Sequence, residues 1–137
     1  MPGALVRNAT LKYVSRPVDV RVERCDTPFT SNYRKDEVIR IPVGHGEGRY
    51  TASDEVLASL EAEGRIVFRY VDTGMPDSPA NPNGASRDIA AIANREGTIV
   101  GMMPHPERLA DGLLGSDAGT RVFRSLIRWK RPMAVHV

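Results

Sequence analysis

The chain has 137 residues, 41% of them hydrophobic and 26% charged, and 19 lysines and arginines against 17 acids leave a formal net charge of +2. Such a length holds one domain of about 100–200 residues, and the composition excludes a disordered chain, a collagen-like repeat and a disulfide scaffold. So small a charge gives no broad field for nucleic acid or an anionic membrane, and one cysteine, Cys25, makes neither an internal disulfide nor a zinc finger.

In chain order, the N-terminus opens in turn chemistry at Pro2-Gly3, with no charged start and no long apolar run, so it does not read as a signal peptide. It reads as a fold entered midway. Val18, Val20 and Val22 alternate with Asp19, Arg21 and Glu23, the period-2 pattern of a strand with one wet face. Val38 to Val43 predicts a second short strand with Pro42 near its exit. Ser53-Asp54-Glu55 opens a helix: the serine can cap a free N–H and two acids meet the positive end of the dipole. Val56, Leu57 and Leu60 form its apolar side and Gly64 suits its left-handed stop. Arg65 to Val71 predicts a third strand, and residues 72–87, rich in proline, glycine and asparagine, a long loop.

Ile89–Ala93 and Thr98–Met103 flank Asn94-Arg95-Glu96-Gly97 as a hairpin. A last helix from Ser116 to Lys130 is expected to present Val122, Phe123, Leu126, Ile127 and Trp129 on one face and Arg121, Arg124, Arg128 and Lys130 mainly on the other. No segment approaches the roughly 18–20 apolar residues of a membrane helix. The lone thiol fits a reducing, cytoplasmic setting. The elements predict a mixed α/β chain with at least five strands and two helices. A doubly wound sheet would alternate the two more regularly, so part of a fold is expected to be absent.

Two segments can carry chemistry. Gly101-Met102-Met103-Pro104-His105-Pro106-Glu107-Arg108 follows an apolar strand. In extended backbone His105 and Glu107 share a face, and a carboxylate beside one ring nitrogen fixes the tautomer a general base needs. Val43-Gly44-His45-Gly46-Glu47-Gly48-Arg49 surrounds His45 with glycines that allow a ligand, or an oxyanion on backbone N–H groups, to come close. Two His-x-Glu pairs could ligate a metal, but no His-Glu-x-x-His helix joins them and the expectation is no metal. Cys25 stands between charges, with no small-residue turn around it, and is not expected to be a nucleophile.

Several of these motifs, in this order, are familiar: Pro2-Gly3-Ala4-Leu5, Arg7-Asn8, Asp26-Thr27-Pro28-Phe29-Thr30, Ile41 to Gly48, Asn81-Pro82-Asn83-Gly84, Gly101 to Arg108 and Leu113-Leu114-Gly115-Ser116. The sequence resembles the glutaminase subunits of phosphoribosylformylglycinamidine synthases, a family of class I glutamine amidotransferases in purine biosynthesis, from Pro2 to about Lys130. The resemblance implies the C-terminal part of a flavodoxin-like α/β sheet with an added β-rich section, so that residues 1–137 form one incomplete domain without the nucleophile elbow. It implies a Cys-His-Glu triad in which His105 matches the histidine and Glu107 the glutamate, while Cys25 matches no nucleophile. It implies that His45, Gly46, Glu47 and Gly48 line the glutamine site. The implied partners are a synthetase subunit, which uses ATP and magnesium, and a small accessory subunit; this chain itself needs no cofactor. The alternative is a non-catalytic remnant or scaffold that docks on the synthetase.

Overall fold

The computed structural model describes residues 1–74, 79–114 and 116–129. Among them lie seven strands: β1 (Ala4–Val6), β2 (Val14–Val22), β3 (Val38–His45), β4 (Arg49–Thr51), β5 (Ile66–Tyr70), β6 (Ile89–Ala93) and β7 (Val100–Met102). Helix α1 (Asp54–Ala62) separates β4 from β5, and α2 (Thr120–Arg128) closes the described chain. Strands β3-β2-β5-β6-β7 form one sheet in that order, β1 and β4 a separate two-stranded one, and every pairing is antiparallel. The α/β class holds, and this sheet has the antiparallel pairing of a β-rich section.

The core follows from the alternation in the sequence. On β3, Ile39, Ile41, Val43 and His45 are buried, while Val38 and Arg40 are exposed. Ile39, Ile41 and Val43 meet Val18, Val20 and Val22 of β2 and Val67 and Phe68 of β5 in one cluster. Each such side chain contributes about 1.5–3 kcal/mol by leaving water. Strand β6, Ile-Ala-Ala-Ile-Ala, is buried throughout, because it lies between β5 and β7. The predicted turn at Asn94–Gly97 joins β6 to β7, and Gly97 takes φ +70° there.

Helix α1 begins where its cap predicts, with the Ser53 hydroxyl accepting from the Val56 N–H at 3.4 Å, and Gly64 follows it at φ +60°. Helix α2 differs from expectation. It starts at Thr120, four residues later than Ser116, and Lys130 lies outside the described residues. Its buried positions are Val122 and Ser125, whereas Phe123, Leu126 and Ile127 are exposed. The physical reason is polar: the Ser125 hydroxyl accepts from the Asn32 N–H at 2.9 Å, so the helix is rotated about a hydrogen bond rather than about its largest side chains. Strands β1 and β4 were not predicted either. Three residues carry no usable period, and the pair exists because Leu5 lies across from Tyr50, whose hydroxyl donates to the Pro2 carbonyl at 2.9 Å. Of the long loop expected over 72–87, residues 75–78 lie outside the described set and 86–88 form a single 3-10 turn.

Candidate active site

Four segments converge at one end of the five-stranded sheet. Val14 pairs with His45 there, so the end of β3 lies beside the start of β2. The Asn8 amide donates to the His45 carbonyl at 2.9 Å and the Asn83 amide reaches His45 Nε2 at 2.9 Å, which brings in residues 7–13 and 81–85. The fourth segment follows β7. Met103 N–H donates to the Ala90 carbonyl at 3.1 Å and His105 N–H to the Pro42 carbonyl at 2.8 Å, so the chain crosses from the sheet onto β3.

His105 itself is extended, at φ −106° and ψ 89°, as a residue before proline must be. Pro106–Leu109 then close into a 3-10 turn. His105 and Glu107 meet as the spacing predicts, with Nδ1 and Oε1 2.7 Å apart, but the turn brings them together rather than a continued strand. The pair is accessible: the imidazole is 31% exposed and the carboxylate 57%. Burial works against the charge of Glu107. It is outweighed by hydrogen bonds from its own backbone N–H and from His105 and by the charges of His105 and Arg108, which hold the carboxyl below its usual range. An ionised Glu107 accepts from Nδ1–H and leaves Nε2 as the basic nitrogen of the ring.

His45 is a different histidine. It is buried, and the Asn83 amide beside its Nε2 is oriented by its other bonds: Asn83 Oδ1 accepts from Ala85 N–H at 3.0 Å, while Nδ2 also donates to the Gly48 carbonyl at 2.9 Å. Nε2 therefore accepts and Nδ1 carries the proton. Burial first, and then the charge of His105, push the His45 pKa down, so it stays neutral at pH 7. Asn8 completes the network, since its Oδ1 accepts from the Gly48 N–H at 3.1 Å. These asparagines belong to the Arg7-Asn8 and Asn-Pro-Asn-Gly motifs, and the fold brings both motifs onto His45.

The expected glutamine-lining strip divides into separate positions. His45 and Gly48 face the interior, Gly46 is half-buried and Glu47 is exposed. A side chain at Gly48 would fall on the His45 imidazole, so the close approach this glycine permits is to the protein's own ring. Gly44 makes room in the same way for the Arg108 guanidinium, with the Tyr13 hydroxyl 3.2 Å from where a Cβ would stand. Arg108 and Tyr13 thus reach the site. The first was visible in its motif; nothing in the sequence distinguishes the second from an ordinary exposed tyrosine.

Cys25 stands elsewhere. From Pro17, paired with Pro42, β2 runs five residues to Val22, about 17 Å at roughly 3.4 Å per residue. Cys25 lies beyond that far end, where the neighbouring Arg24 guanidinium and Thr27 reach the β6–β7 turn at Gly97. It is half-buried against the core. Among the described residues no group of three or more His, Cys, Asp or Glu side chains comes together as a metal site, and no helix is long and apolar enough to cross a membrane. An apolar cleft of about 260 Å³ runs between the N-terminal segment and strands β6 and β7, lined by Met1, Leu5, Ile89, Ala91 and Met102 among others; neither His105 nor Glu107 lines it.

Residues 2–130 match the CobB/CobQ-like glutamine amidotransferase domain. The fold is similar to that in the structure of PurLQS from Thermotoga maritima, with a TM-score of 0.76 and 39% sequence identity over 93% of this chain and 52% of that one. The chain thus spans about half the length of the structure it matches.

Proposed function

The chain belongs to the CobB/CobQ-like glutamine amidotransferase family, and from that premise we propose that it supplies the base and the orienting carboxylate of a glutaminase in phosphoribosylformylglycinamidine synthase. The observation that carries this reading is the 2.7 Å contact between His105 Nδ1 and Glu107 Oε1 on an accessible turn. The similarity to PurLQS supports the wider assignment.

In this reading a cysteine thiol from a part of the enzyme outside these residues is the nucleophile, since Cys25 lies beyond the far end of β2. His105 Nε2 takes the thiol proton as sulfur attacks the side-chain amide carbon of glutamine. The same nitrogen returns that proton to the amine, the carbon–nitrogen bond breaks, and ammonia leaves a glutamyl thioester. Water, deprotonated by His105, then hydrolyses the thioester to glutamate and restores the thiol. Glu107 keeps Nδ1–H engaged throughout and balances the charge that develops on the ring. His45, Gly46, Glu47 and Gly48 border the glutamine site, with His45 acting from the interior through the backbone it fixes. Ammonia passes to a synthetase subunit, where ATP and magnesium act, and a small accessory subunit completes the assembly.

The test is His105→Ala in the assembled enzyme that carries this chain. Glutamine-dependent synthesis should fall by about 10²–10⁴-fold, the worth of a general base, while synthesis from added ammonia continues. Glu107→Gln should lose less, because an orienting group can be removed with the base still in place. Undiminished glutamine hydrolysis in His105→Ala would refute the assignment and favour a scaffold that only docks on the synthetase.

A further inference from the structure

We propose that the amino end of α2 is a clamp that holds the His105–Glu107 turn in register, with Gly119 and Thr120 as its positioning residues; this rests on the reading of the pair as base and orienter. The turn closes on itself through the Arg108 N–H, which donates to the His105 carbonyl at 3.2 Å. Pro106 and Leu109 are half-buried and Glu107 and Arg108 exposed, so its side chains give it only partial cover. On its upstream side the His105 N–H is tied to Pro42 of β3. On its downstream side the support comes from α2.

Gly119 lies against the turn's backbone. A methyl group there would collide with the Pro106 carbonyl and come within 2.8 Å of the Leu109 carbonyl oxygen. The next residue adds a direct bond: the Thr120 hydroxyl donates to the Ala110 carbonyl at 2.9 Å, one residue past the turn. Glu107 therefore sits between two fixed backbone points.

The helix is itself anchored to the segment between β2 and β3. Tyr33 donates its hydroxyl to the Ala118 carbonyl at 2.7 Å, directly before Gly119. The Arg121 guanidinium pairs with Glu37, donates to the Asn32 carbonyl at 2.6 Å and lies 4.2 Å from the Tyr33 ring centre. Ser125 accepts from Asn32 N–H. These contacts explain why α2 buries a serine while larger apolar residues stay exposed: the helix is placed by polar groups that aim its first turn at residues 106–110. Gly119 and Thr120 meet the turn through its backbone carbonyls, so their effect on the imidazole is through its geometry.

The readout is the tautomer of His105, from the ¹⁵N shifts of its two ring nitrogens in the assembled enzyme with histidine labelled in this chain alone, with His105→Gln assigning the signals. The unaltered chain should show the Nδ1–H form demanded by Glu107. Thr120→Val should shift the ratio toward Nε2–H by about tenfold, the loss of roughly one net hydrogen bond, with the amide spectrum of the core strands unchanged. Thr120→Ser, which keeps the hydroxyl, should restore the original ratio. Gly119→Ala should act in the same direction as Thr120→Val. An unchanged ratio in Thr120→Val, or a Thr120→Ser that behaves like the valine variant, would overturn the clamp whatever Gly119→Ala does. An Nε2–H form in the unaltered chain would overturn both the clamp and the base–orienter reading. Undiminished glutamine hydrolysis in His105→Ala would defeat that reading alone and leave the tautomer result standing.

Discussion

Alanine placed in turn at Gly44, Gly46 and Gly48 should give three different outcomes from one motif. None of the three has a left-handed backbone, so the difference must come from what a new methyl group meets. At Gly48 it meets the His45 imidazole, which is buried and bonded to Asn83. Forcing a ring out of a packed core costs about 1–3 kcal/mol, and stripping the Asn83 amide of a buried acceptor adds about 1–3 kcal/mol. Gly48→Ala should therefore lose about 2–6 kcal/mol, a large share of the roughly 5–15 kcal/mol that holds a domain together. At Gly46 the nearest atom is a Tyr13 ring carbon at 3.8 Å, an ordinary contact, and the substitution should stay within about 0.5 kcal/mol of the original. At Gly44 the methyl meets the far end of Arg108, an exposed and flexible side chain that can swing aside, so stability should change little while Arg108 leaves its place beside Glu107. Urea titration at pH 7 measures all three, with the midpoint shift read at constant slope. A Gly48→Ala variant as stable as the original would refute the steric account, and a Gly46→Ala variant as damaged as Gly48→Ala would refute it in favour of a requirement of the backbone itself.

The state of His45 gives a pH signature. Its native pKa is depressed by burial and by the charge of His105, while the unfolded chain binds the proton near pH 6.5, so the unfolded state holds more protons below that point and stability falls as pH drops. Urea titrations between about pH 6.5 and 5 should show a loss of up to about 1.4 kcal/mol per pH unit, and His45→Gln should flatten that slope; an equal slope in the variant would show that His45 is charged in the native state. Cys25→Ser should leave glutamine hydrolysis by the assembled enzyme unchanged, because the thiol lies past the far end of β2; a collapse of activity would place it at the chemistry after all.

What the chain's local chemistry determines is legible residue by residue. Although Asp19, expected on the wet face of β2, is buried against Arg40, alternation placed Val18, Val20, Val22, Ile39, Ile41 and Val43 inside, Ser53 and Gly64 bounded α1, Asn94–Gly97 turned the hairpin, and prolines on both sides of His105 put the histidine and Glu107 within reach. Each of these depends on neighbours a few residues away. What depends on distant residues was decided by tertiary structure. Three-residue strands such as β1 and β4 have no period of their own and form only because Leu5 meets Tyr50. The rotation of α2 hangs on a serine bonded to Asn32, which the pattern of apolar residues on the helix could not register. Above all, the sequence presents Gly44, Gly46 and Gly48 as equivalent, and only packing separates them: the ring that occupies the space over Gly48 and the guanidinium that occupies the space over Gly44 arrive from side chains whose positions no local spacing specifies.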